Sequence, residues 1–128
     1  MKHAAIITHG PMGTAIIEAV RNIIGIDEGL HALSVSDMSL EEIEQRLMSI
    51  VNAPQEHQDG LIIMACLKGG STWNVSAGIA MNYSNVRVIS GVNLPMMLSF
   101  VTKRDAYDLD QLVDELVNDG LRGITTLK

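Results

Sequence analysis

The sequence predicts an α/β fold: a doubly wound, mainly parallel four-stranded sheet with helices on both faces. Three observations carry that prediction. Short apolar runs alternate with segments of helical period along the chain, the order that builds βαβ units. The runs are continuously apolar, as in Leu61-Ile62-Ile63-Met64-Ala65-Cys66, which suits strands covered on both faces. Three of them empty into short turns rich in glycine or proline: Thr8-His9-Gly10, Lys68-Gly69-Gly70-Ser71-Thr72 and Gly91-Val92-Asn93-Leu94-Pro95.

Taken in order, Ala4 to Thr8 reads as a buried first strand. Met12 to Ile24 reads as a helix, with Ile16, Ile17, Val20, Ile23 and Ile24 as its apolar stripe and Gly25 closing it. Leu30 to Val35 is a second strand. Ser39 caps a helix over Leu40 to Val51, and Glu42 three residues on completes a capping-box pattern. Pro54 and the polar run Gln55-Glu56-His57-Gln58 mark a loop. Leu61 to Cys66 is the third strand, followed by a helix from about Trp73 to Met81. Val86 to Ser90 is the fourth strand, and Pro95 fits the first turn of a short helix after it. A final amphipathic helix runs from Asp108 or Leu109 to Asn118 and stops near Gly120. The tail, Gly123 to Lys128, has β character but no local partner, so it is expected to join a sheet edge in its own subunit or a neighbour's.

The chain has 128 residues, of which 47% are hydrophobic, so one domain over 1–128 with a full core is expected without disulfides. Aromatics are 3%, which leaves the core to aliphatic side chains and the 8 Met. The net charge of −6, with no basic run, argues against nucleic-acid binding. No apolar stretch is long enough to span a membrane and no signal peptide precedes the first strand, so a cytoplasmic protein is expected. Cys66, the single cysteine, excludes an intramolecular disulfide and any paired-cysteine metal site.

His9 is the leading candidate functional residue. It follows a strand and precedes a helix, at the sheet edge where open α/β folds bind ligands. An imidazole there can serve as base, metal ligand or phosphoryl-carrying nucleophile. Gly69 and Gly70 let backbone N–H groups approach an anion, and Ser71 and Thr72 add hydroxyls at a helix start. The spacing is not that of a Walker A loop. His9 facing such a cradle suggests attack on a phosphoryl donor. His3, His31 and His57 read as scattered singles and Glu41, Glu42 and Glu44 as a solvated helix face, so neither a metal site nor a cofactor is expected.

Together these segments resemble the IIA component of the mannose family of the bacterial phosphoenolpyruvate-dependent sugar phosphotransferase system. The resemblance covers nearly the whole chain. It rests on Thr8-His9-Gly10, the helix after it, Asp37-Met38-Ser39-Leu40-Glu41-Glu42, the Gly69-Gly70-Ser71 turn with Asn74, and Ser90-Gly91-Val92-Asn93-Leu94-Pro95-Met96. It implies that His9 accepts phosphate from the histidine-containing phosphocarrier protein and passes it to a IIB component. The membrane partners, IIC and IID, would be met only indirectly. It also implies transfer through Nε2 and a homodimer that exchanges a C-terminal strand; Thr8, Cys66, Lys68 and Asn93 are expected as supporting residues around His9. At this chain length a IIB domain would have to be a separate chain.

One departure stands out. The family pattern at the third strand end is Asp-Leu-Phe-Gly-Gly-Ser-Pro, whereas this chain reads Cys66-Leu67-Lys68-Gly69-Gly70-Ser71-Thr72. A carboxylate beside the histidine can fix its tautomer; a thiol is a weaker hydrogen-bonding group. Lys68 offers a compensating cation or merely a solvated loop residue. Two other readings therefore stand beside the phosphoryl carrier: a silent regulatory relative, and an unrelated enzyme with Cys66 as nucleophile. The last has no second histidine evidently placed to activate the thiol.

Overall fold

The computed structural model describes residues 1–53 and 59–128. The loop expected at Pro54 to Gln58, His57 included, lies outside the described residues. The chain runs β1 (His3–Thr8), α1 (Met12–Ile24), β2 (Leu30–Ser34), α2 (Leu40–Val51), β3 (Leu61–Ala65), α3 (Gly70–Ala80), β4 (Val86–Ser90), α4 (Leu94–Lys103) and α5 (Leu109–Arg122). The four strands are all parallel, as the sequence predicts, and lie in the order β2-β1-β3-β4. Strand order reverses between β1 and β3, in register from His3 opposite Leu61 to Ile7 opposite Ala65. The crevice at such a reversal, outside the carboxyl ends of the strands, is the usual ligand position in this architecture.

Strand alternation divides the core into two layers. Ala4 and Ile6 of β1 and Ile62 and Met64 of β3 face α1, α4 and α5, where Val20, Met97, Phe100, Leu112 and Leu116 complete one cluster. Ala5 and Ile7, with Leu61, Ile63 and Ala65, face α2 and α3, where Ile43, Leu47 and Ile79 complete the other. Both faces being covered explains the unbroken apolar runs.

Several expected boundaries move. Helix α3 starts at Gly70, about a turn before Trp73, because the two glycines form its N-terminus instead of a separate turn. Helix α5 runs through Gly120 to Arg122 rather than stopping near Asn118. A Cβ at Gly120 would stand 3.0 Å from Met96 Cε, so this glycine lets α5 press against the start of α4. Ile23, placed on the buried stripe of α1, is 57% exposed. The capping box expected at Ser39 is half formed: its hydroxyl accepts from the Glu42 N–H, but no Glu42 bond returns to the cap backbone. A full capping box occurs instead at Asp108 and Gln111.

Of the two edges expected for the tail, the one in its own subunit is not used. Residues 124–128 form no strand and pair with no strand of their own sheet, and Ile124 and Leu127 are exposed.

Candidate active site at the β1 and β3 strand ends

Thr8, the last residue of β1, is fully buried and organises the turn that presents His9. Its hydroxyl accepts from the Gly13 N–H (3.0 Å) and donates to the Gly10 carbonyl (3.4 Å). Pro11, at the cap position of α1, supplies no side-chain bond, so Thr8 satisfies an otherwise orphan donor of that helix. Gly10 in turn donates its N–H to Ser36 Oγ at 2.8 Å. Ser36 is a site-edge residue the sequence reading missed, although its place just past β2 was the available signal.

His9 is exposed on this turn. Its Nδ1 lies 3.4 Å from Cys66 Sγ, and Cys66 follows β3, the neighbour of β1. The structure thus joins the candidate nucleophile to the departing residue of the third strand. Backbone bonds extend the ladder past the strand ends: Val35 N–H donates to Thr8, Cys66 N–H to Ile7 and Val92 N–H to Ala65.

Gly69 and Gly70 have φ of 88° and 76°, in the left-handed region that glycine adopts freely, and they open α3. First-turn N–H groups at a helix start are donors suited to an anion. Ser71 is half-buried there. Thr72 is fully buried, and its Oγ1 has no hydrogen-bond partner among the described residues. Lys68 is exposed and makes no hydrogen bond or ion pair among those residues. Leu67, in the loop after β3, and Met12, at the start of α1, leave apolar surface beside these groups, 50% and 40% exposed.

Asn93, expected among the supporting site residues, is used by the scaffold. Its Oδ1 accepts from the Met96 N–H (3.0 Å), capping α4, and its Nδ2 donates to the Gly120 carbonyl (3.0 Å). His3 and His31 are not scattered: they stack on adjacent strands with Nδ1 and Nε2 2.9 Å apart, toward the opposite end of the sheet. Among the described residues no three His, Cys, Asp or Glu side chains gather as a metal site.

A groove of about 860 Å³ between α2 and α3 holds none of the candidate catalytic residues. The chemistry-bearing group is an open ring rather than a group enclosed in a cavity. That geometry suits a covalently held group passed between proteins.

Comparison with known proteins agrees in class: sugar phosphotransferase-system IIA components. Residues 4–117 match the family model EIIA-man, described as "PTS system fructose IIA component". The chain is 30% identical over 116 residues to the sorbose-specific EIIA component of Klebsiella pneumoniae, covering 91% of this chain and 84% of that one. It is 27% identical over 125 residues to the mannose-specific EIIAB component of Escherichia coli K12, 94% of this chain but only 38% of that longer protein. Its fold matches an EIIA component from Streptococcus agalactiae with TM-score 0.89 at 25% identity, covering 98% of this chain and 97% of that one. A mannose/sorbose-specific IIA subunit from Enterococcus faecalis matches with TM-score 0.88 at 24% identity, covering 100% and 96%.

The chain belongs to the mannose-type IIA family of the phosphotransferase system. IIA components are cytoplasmic phosphotransferases of sugar uptake. No helix among the described residues is long and apolar enough to cross a membrane.

Proposed function

We propose that this protein carries a phosphoryl group on His9, received from the histidine-containing phosphocarrier protein and delivered to a IIB component. The observation that carries the reading is the exposure of His9 at the strand-order reversal, with its Nδ1 occupied by Cys66. The other ring nitrogen, Nε2, is left for chemistry. Its lone pair forms the N–P bond as the donor's N–P bond breaks, and delivery reverses the exchange. Gly69, Gly70 and Ser71 at the start of α3 supply backbone N–H and hydroxyl donors for the phosphoryl oxygens, the preorganised charge stabilisation such transfer uses. Lys68 adds a cation in the same loop, and Met12 and Leu67 offer apolar surface on which a partner protein docks. The sugar-specific steps belong to the IIB component and, through it, to IIC and IID.

The experiment is incubation with phosphoenolpyruvate, enzyme I and the phosphocarrier protein, read by intact mass. An acid-labile, base-stable phosphate on the wild type and none on His9→Ala is the expected result. A folded wild type that stays unmodified favours the second reading, a silent regulatory relative, which the thiol beside His9 motivates. Rapid alkylation of Cys66 with loss of a separate activity would favour the thiol-enzyme reading.

A further inference from the structure

We propose that Cys66 is the positioning residue for His9, and that in the resting protein it donates its S–H to Nδ1, leaving the ring proton on Nε2. The tautomer assignment stands on geometry; its kinetic consequence rests on the reading of His9 as phosphoryl acceptor. Cys66 Sγ lies 3.4 Å from Nδ1, within reach of a sulfur hydrogen bond, and no carboxylate hydrogen-bonds the ring among the described residues. The backbone that carries the sulfur is held in place. The Cys66 N–H donates to Ile7 O at 3.1 Å, and the preceding carbonyl, Ala65 O, accepts from Val92 at 3.2 Å.

With both groups neutral, the direction of that bond follows from donor and acceptor strengths. A thiol is a weak donor and a weak acceptor, whereas an unprotonated imidazole nitrogen is a good acceptor. The S–H to Nδ1 arrangement therefore wins over N–H to sulfur. A carboxylate at the same place can only accept, and it imposes the opposite tautomer, with the proton on Nδ1 and the Nε2 lone pair free.

This chain consequently starts two proton transfers away from the reactive form. The Nε2 proton passes to water, the sulfur proton passes to Nδ1, and the resulting thiolate accepts the Nδ1–H. The freed Nε2 lone pair then forms its bond to phosphorus as the donor's N–P bond breaks. Cys66 touches the ring but not the phosphoryl group; it acts through His9.

The test uses ¹⁵N-labelled full-length protein and long-range ¹H–¹⁵N correlation of the His9 ring at neutral pH, alongside initial phosphorylation rates with the phosphocarrier. In the wild type Nε2 is expected to resonate as the protonated nitrogen, and Nδ1 as an unprotonated nitrogen displaced by a hydrogen bond. Cys66→Ala should return Nδ1 to its unbonded value. Cys66→Asp should move the proton to Nδ1 and speed phosphorylation about tenfold or more; Cys66→Glu, the other acceptor-only side chain, repeats the tautomer reversal if the aspartate variant folds poorly.

A protonated Nδ1 in the wild type overturns the proposal, as does an Nδ1 resonance that ignores Cys66→Ala. A reversed tautomer without faster phosphorylation overturns its kinetic part. If neither wild type nor Cys66→Asp is phosphorylated while the resonances behave as described, the tautomer assignment is supported and the carrier reading fails.

Discussion

Two buried threonines flank the candidate site and do opposite things. Thr8 uses its hydroxyl fully, accepting from Gly13 and donating to Gly10. Thr72 uses none of it among the described residues: there Oγ1 is buried without a partner, while its carbonyl accepts from Ser76 Oγ at 2.6 Å. An unsatisfied buried hydroxyl is destabilising, and an apolar group of the same shape removes the penalty. Thr72→Val is therefore expected to raise stability by about 1 kcal/mol in urea unfolding. It should leave His9 phosphorylation unchanged. A loss of phosphorylation would instead place this hydroxyl in the anion cradle.

At this scale the sequence was informative about position and silent about direction. His9 and Gly69-Gly70 could be placed because strand ends in a parallel sheet share an edge. The burial of Thr72 could not, since the face of the first helical turn depends on where the helix starts. Asn93 stood in the right segment, but its two bonds to Met96 and Gly120 depend on α5 packing that no local pattern encodes.

Glycine misled the reading of two elements for related reasons. Gly69-Gly70 looked like a turn before a helix and is the helix start; Gly120 looked like a helix stop and is a contact point. Intrinsic propensity, which disfavours glycine in helices by up to about 1 kcal/mol, gave way to tertiary packing.

Helices α4 and α5 are further tied by charge. Asp119 accepts from Ser99 Oγ at 2.5 Å and from Lys103 Nζ at 2.7 Å, and Lys103 also reaches Glu115 at 3.4 Å. The Lys103 hydrogen bond, then the Ser99 one, holds the Asp119 carboxyl below the usual carboxylate range. A depressed folded value stabilises the protein above the unfolded carboxyl range, and that contribution is lost as pH falls through the folded value. Asp119→Asn should therefore be less stable than wild type at neutral pH, with the gap closing below about pH 4. Denaturant midpoints across that range check it. A gap that widens in acid would mean the network does not operate.

For the molecule as a whole, the parallel four-stranded sheet and the helices on both its faces were legible because βαβ alternation and continuous apolar strands leave few alternatives; the strand order was not, since no local pattern says which strands pair. The tail was not. Ile124-Thr125-Thr126-Leu127 has β propensity, but propensity names no partner, and in the single chain the segment stays off the sheet. Strands β2 and β4 each have one neighbour, so each leaves an edge among the described residues. On the expectation of a strand-exchanged homodimer, one of those edges takes the tail of a second copy. Removing Ile124 to Lys128 should then shift the protein from dimer toward monomer in sedimentation velocity. The far-ultraviolet signal of the fold should survive. An unaltered oligomeric state in the shortened chain would detach the tail from assembly.

The backbone bonds that carry the ladder past the strand ends bear on speed. Val35, Cys66 and Val92 each anchor a loop of the candidate site to the adjacent strand. Loops tied in this way have little conformational entropy left to lose when a partner arrives. With His9 already exposed, no lid needs to open. On the acceptor reading, exchange with a phosphorylated donor is then governed by the encounter itself and by the ring's proton shift. The first of these answers to ionic strength through the chain's net charge of −6, and the second does not.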